Sequence, residues 1–189
     1  AKRIAALGKK SGRGLSVLAG AELNIAADGG LDYDPELRGS LDFCLASVHD
    51  HFELDAAAQT RRLVAAMRDP AVKMIGHLSA RTIGKRPPIA LDLDAVLAAA
   101  EETGTALEVN GSLPRLDASV DVLRRARGRD IALVLTSDAH HTSELGYVEH
   151  AALQVLRAAV APQQVVNTWS RAKLLRWARH KGRRALGTA

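Results

Sequence analysis

Glu22, His49, His77, Asn110, Asp138 and His140 are the residues of this chain whose types and spacing could do chemistry. Each stands at the end of an apolar run. Leu18-Ala19-Gly20-Ala21 leads to Glu22, Ala46-Ser47-Val48 to His49 and Met74-Ile75-Gly76 to His77. Leu107-Glu108-Val109 leads to Asn110, and Leu133-Val134-Leu135-Thr136 to Ser137, Asp138 and His140. A carboxylate with two imidazoles is a common catalytic metal set that leaves one coordination position open for water, and Glu22, His49 and His77 supply it. Asp138 and His140 are two residues apart, so on an extended chain they share a face and could serve a second or third ion. Mixed carboxylate and imidazole ligands suit Zn, Mn or Fe better than Ca. Such ions activate water near neutral pH, and a pair of them can clamp a phosphoryl oxygen. No Ser-His-Asp set, GxGxxG or P-loop competes for the chemistry.

The neighbours carry weaker assignments. His51 lies on the loop or supports a metal ligand from behind rather than binding an ion itself, and the Asn110 amide supports the same rim. His141 points away from His140, and Glu108 is buried or hydrogen-bonded rather than catalytic. Arg81, Lys85, Arg86 and Arg115 follow strand ends, where guanidinium forks could hold substrate phosphate; solvated loop charges are the alternative. His150 and His180 lie on helices without a role.

The elements that must position these groups alternate strand, helix, strand, helix. Strands are expected at 14–25, 41–49, 72–77, 106–110 and 131–140. Asp28-Gly29-Gly30 reads as a turn, and Asp34-Pro35 as an N-cap with proline at the first helical position. Asp55 caps a helix through Met67. Asp92 starts another, closed by Gly104, and Asp117 or Ser119 starts a third, closed near Gly128. A long helix is expected at 143–160, with tail helices after it. This pattern predicts an α/β fold with a parallel sheet, most naturally a (β/α) barrel with its chemistry at the strand ends. The chain opens in a basic helical fragment at 1–10, which predicts one or two missing N-terminal βα units.

Composition bounds the rest. The 189 residues are 47% hydrophobic and 25% charged, the balance of one soluble domain. Aromatics are only 3%, so Ala, Val and Leu must fill the core. No apolar run approaches the ~20 residues of a membrane span, no signal peptide opens the chain, and the expected location is cytoplasmic. The single cysteine, Cys44, reads as a small buried hydrophobe. Net charge is +5, yet seven Lys/Arg and no acid lie from Arg171 onward, so the remainder is slightly acidic. The basic helical tail at about 162–185 either contacts nucleic acid or packs Trp169 and Trp177 inward behind a solvated basic face.

AELNIAADGGLDY, DFCLASVHDHF, IGHLSARTIGKR, ALEVNGSLPRLD and LTSDAHH occur in that order. They resemble successive motifs of the PHP (polymerase and histidinol phosphatase) domain, above all the C-terminal PHP domain of bacterial family X DNA polymerases. The resemblance runs from about Gly20 to Asn167. It implies a distorted (β/α)7 TIM-like barrel, here a single domain over 1–189 lacking its first one or two βα units. It also implies up to three Mn, Zn or Fe ions. Glu22 would bridge two metals, His49 and His77 would complete the second site, Asp138 would ligate the first ion and His140 the third. The family's His-x-His after strand one and Asp-His after strand two are missing, so only Glu22/His49/His77 keeps its full protein ligand set. The implied activity is phosphoester hydrolysis, as a 3′-5′ exonuclease or DNA-end phosphodiesterase, with DNA as the partner and other domains of a longer chain beside it. A small-molecule phosphatase of the histidinol-phosphate type and a non-catalytic structural PHP domain are the alternatives.

Overall fold

A computed structural model of the protein describes residues 16–179, the side chain of Arg179 excepted. The expected helical fragment at 1–10, the start of the first strand at 14–15, the tail beyond 179 and His180 lie outside the described residues. Five strands, β1 (Gly20–Asn24), β2 (Phe43–Ser47), β3 (Val72–Ile75), β4 (Ala106–Asn110) and β5 (Leu133–Thr136), form one sheet in consecutive order. Every pairing is parallel. The helices are α1 (Pro35–Gly39), α2 (Ala56–Arg68), α3 (Leu93–Thr103), α4 (Val120–Ala126), α5 (Val148–Arg157) and α6 (Arg171–Arg179). Parallel strands in consecutive order, each joined to the next through a helix, are compatible with a barrel-like α/β fold.

The local reasons for these elements are the expected ones. Asp34, Asp55 and Asp92 accept the backbone N–H groups of Leu37, Ala58 and Ala95 at the starts of α1, α2 and α3. Gly104 ends α3 in the left-handed conformation at φ 67°. Ser119, not Asp117, caps α4 by accepting from Val122 N–H. Leu63, Leu97, Leu107 and Leu123 are fully buried where helices meet the sheet. Each stabilises the fold by about 1.5–3 kcal/mol through area removed from water. Cys44 is buried in the same core.

Four expected strands are too long. The first begins only at Gly20 and keeps Glu22 inside β1, whereas the ladder stops at Ser47, Ile75 and Thr136, before His49, His77, Asp138 and His140. The turns at His77 (φ 23°) and Asp138 (φ 51°) are the cause, because left-handed backbone cannot continue a strand. Asp138 and His140 therefore do not alternate along an extended chain. The long helix expected at 143–160 is also broken. A 3-10 turn at Thr142–Tyr147, capped by His141, precedes α5.

β4 is buried along its whole length, whereas β5 is only half-buried beyond Leu133. The outer edge of β5 is met by Asn167, whose amide accepts from Leu135 N–H at 2.8 Å and donates to Leu135 O at 3.0 Å. In the described part of the tail, Trp177 packs against Phe43 (5.7 Å between ring centroids) and Trp169 (6.1 Å). The apolar side of α6 thus faces the protein. Among the described residues no helix is long and apolar enough to cross a membrane.

Glu101 ties the end of α3 to the turn before β5. It accepts from Asp130 N–H at 2.9 Å and from Arg129 at 3.1 and 3.2 Å. The Asp130 N–H, then Arg129, hold its carboxyl below the ordinary 4.5. A folded-state pKa below the unfolded one means this contribution is present at neutral pH and is lost as pH falls below about 4.5. Glu101→Gln is expected to flatten the acid limb of stability against pH, read by urea unfolding between about pH 6 and 3.

Candidate metal centre

Parallel pairing in register brings the strand ends to one rim. Glu22 lies opposite Leu45, Leu45 opposite Met74, and His49 and His77 each follow their strand by two residues. One ligand atom from each of Glu22, His49 and His77 lies within 4.8 Å of the others. Glu22 Oε1 is 3.3 Å from His49 Nε2 and 3.1 Å from His77 Nε2. Metal–ligand legs near 2.0–2.2 Å in a tetrahedron put the ligand atoms about 3.3–3.6 Å apart. The three groups already stand near that spacing. His77 is buried, and the other two are open to solvent.

The loop bearing His49 is gripped from α2. Arg62, fully buried, donates to Asp50 O at 2.9 Å, and Gln59 donates to His51 O at 2.8 Å. The ring itself is oriented by Asn24, whose Oδ1 stands 2.6 Å from His49 Nδ1. Asn24 in turn donates its amide to Asp32 Oδ2 at 2.7 Å, and its backbone N–H to Asp32 Oδ1 at 2.9 Å. A carboxylate only accepts, so the Asn24 amide nitrogen faces Asp32 and its oxygen faces His49. The proton of a neutral His49 is therefore assigned to Nδ1, and Nε2 presents a lone pair to Glu22. Two acceptors at 3.3 Å repel unless a positive centre, a proton or a cation, lies between them. His49 first, then His77, hold the Glu22 carboxyl well below the usual carboxylate range against the opposing effect of burial. The residues present fit a divalent cation.

Asn24 and Asp32 were not singled out from sequence. The available signal was local: Asn24 is two residues after Glu22 and shares its strand face. The Ala26–Gly30 turn, with Gly29 at φ 91°, folds Asp32 back onto Asn24.

Asp138 and His140 lie apart from this group. The Asp138 carboxylate is 3.3 Å from Arg115 Nε and accepts from Asn110 Nδ2 at 3.1 Å. His140 Nδ1 is 2.9 Å from Asp138 O. With Thr82, Ser112, Glu144 and Tyr147 they line a cavity of about 390 Å³. His51 is exposed and pairs with Glu53 at 3.6 Å rather than approaching the metal-type group. Arg81 spends its guanidinium on Arg115 O, at 2.8 Å, and on Leu116 O. Arg86 donates to Ala80 O at 2.8 Å and lies over the Phe52 ring at 3.8 Å. Two of the basic groups that pointed to phosphate thus brace the rim loops, whereas Arg115 stays at the cavity.

Asp117 is buried and accepts from Ser79 N–H (2.9 Å) and Ser79 O–H (2.7 Å), joining the loops after β3 and β4; burial pushes its pKa up. Glu108, also buried, accepts from Thr136 O–H at 2.7 Å and His77 N–H at 2.5 Å.

No family model matches the chain. Among proteins of known sequence it is 31% identical over 154 residues to the DNA polymerase/3′-5′ exonuclease PolX of Bacillus subtilis, covering 82% of this chain and 27% of that protein. It is 30% identical over 165 residues to a probable phosphatase of a Thermoanaerobacter species, covering 82% of this chain and 65% of the relative. A probable phosphatase of Shewanella amazonensis is 31% identical over 182 residues, covering 92% and 70%. The chain thus spans about a quarter of the Bacillus polymerase and about two thirds of these phosphatases.

Proposed function

Because the chain belongs to the family of these probable phosphatases, we propose that it is a metal-dependent phosphoesterase built on a PHP-type (β/α)7 barrel. The observation that carries this reading is the Glu22/His49/His77 group with its His49 ring fixed by Asn24, two acceptors left facing each other where a cation belongs. Glu22, His49 and His77 would hold a Mn, Zn or Fe ion, which when bound supplies Lewis acidity and activates water for attack on a phosphoester. Asp138 and His140 are proposed as ligands of further ions. Arg115, partly satisfied by Asp138, is proposed to steer a substrate phosphate in the adjoining cavity. Asn110 supports Asp138 from below.

The Bacillus relative is named for a 3′-5′ exonuclease, and DNA 3′ ends are the proposed first substrate. A small phosphomonoester is the second reading. It is favoured by the internal use of Arg81 and Arg86, which leaves the 81–86 loop little free guanidinium for a DNA backbone. The test is Mn-supplemented hydrolysis of a 5′-labelled oligonucleotide beside histidinol phosphate. Ladder-like shortening supports the first reading and phosphate release the second. Neither product, with metal bound, would overturn the enzyme reading and leave a structural domain.

Outer-sphere partners set ligand orientation. Asn24→Leu, which removes the acceptor at His49 Nδ1, is expected to weaken metal binding by about 10–100-fold. Competition with a chelator of known affinity reads that change.

A further inference from the structure

We infer that Glu108 is a positioning residue for His77, a role that rests on the metal reading above. β4 is wholly buried, and a carboxylate there is costly unless its oxygens are used. Glu108 uses both. Oε1 accepts from Thr136 O–H at 2.7 Å. Oε2 accepts from His77 N–H at 2.5 Å and is 3.4 Å from Asn110 Nδ2. Asn110 Nδ2 also reaches Asp138 Oδ2 at 3.1 Å. One buried side chain therefore joins the ends of β3, β4 and β5.

His77 needs such an anchor. Its φ of 23° is a conformation that residues with a side chain rarely adopt, and surrounding contacts must impose it. Gly76 lets the chain pass close enough for the bond. A Cβ there would lie 2.3 Å from Ser47 Oγ and 2.6 Å from Leu45 Cδ1. With its N–H held by Glu108 and its carbonyl accepting from Ala80 N–H at 2.7 Å, His77 aims Nε2 at Glu22. Glu108 acts on the ion only through this backbone.

Three variants test it. Glu108→Leu keeps apolar volume but offers no acceptor. Glu108→Gln keeps an oxygen for His77 N–H, and the Thr136 hydroxyl can turn to accept from the new amide. Glu108→Asp keeps the charge but falls a methylene short of His77. The readouts are Co²⁺ affinity, the visible d–d spectrum of the Co²⁺ protein and hydrogen exchange of the His77 amide in metal-free protein. Glu108→Leu and Glu108→Asp are expected to bind Co²⁺ about 10–100-fold more weakly, with an altered spectrum and a fast-exchanging His77 amide. Glu108→Gln is expected to stay within about threefold of wild type. Wild-type affinity and spectrum in folded Glu108→Leu would overturn the assignment. If Glu108→Leu does not fold, the same result in Glu108→Asp overturns it. Should the wild-type protein bind no Co²⁺, the metal reading falls separately. The His77 amide then decides, and unchanged protection in Glu108→Leu or Glu108→Asp would reject the anchor.

Discussion

The unmodified chain is expected to hold close to one equivalent of divalent metal, and Glu22→Gln, His49→Ala and His77→Ala are each expected to lose it. Elemental mass spectrometry after desalting in Mn or Zn reads the difference. The three side chains contribute one atom each within a 4.8 Å span, so removal of any one leaves two ligands. The loss should exceed the ~10–100-fold penalty for an outer hydrogen-bond partner such as Asn24. His77→Ala is the most severe case, because its ring is buried and already faces Glu22 Oε1 at 3.1 Å. Glu22→Gln removes the charge but leaves the shape, so any metal loss there reports electrostatics rather than collapse. Retention of stoichiometric metal in all three variants would sink the site, whatever the activity. A metal-free unmodified protein would sink it as well.

Gly111→Ala is expected to destabilise the fold by about 3 kcal/mol, the upper part of the range for over-packing. For a chain of this length that is a fall in Tm of roughly 6–12 °C. Gly111 directly follows β4, donating to Thr136 O at 2.9 Å, and the backbone of the 3-10 turn passes close over it. A Cβ would stand 1.9 Å from Tyr147 O and 3.0 Å from Ala151 N. Both are backbone atoms that cannot rotate aside. The turn and α5 would have to lift, carrying Tyr147 away from the cavity of Arg115, Asp138 and His140. Thermal unfolding followed by circular dichroism measures this. An unchanged Tm would mean that the turn does not rest on β4 in solution.

Much of the architecture was readable along the chain. Apolar runs near five residues long marked the strands, and Asp34, Asp55, Asp92 and Gly104 marked helix ends through hydrogen bonds that reach only three or four residues. Such signals are local, so sequence order carries them. The strand ends misled, because Val48, Gly76 and Ser137 continue the apolar or small-residue pattern after the ladder has stopped. His77 and Asp138 turn the chain with positive φ that no periodicity announces.

The site divides the same way. The amino-acid sequence by itself determined that Glu22, His49 and His77 fall within or just after successive strands, since parallel βα units carry those positions to one rim. Only the tertiary structure decided which groups meet there. Asp138 turns to Arg115 and Asn110, and Arg81 closes on the carbonyls of Arg115 and Leu116. Asn24, held by Asp32, fixes the His49 ring, and Glu108 reaches across to His77 beyond the neighbouring strand β3. Arg115 and Asp138 are 23 residues apart, and Glu108 and His77 are 31 apart. A side chain's partner at such separations depends on loop backbone angles and on strand register, and these exist only once the sheet has assembled.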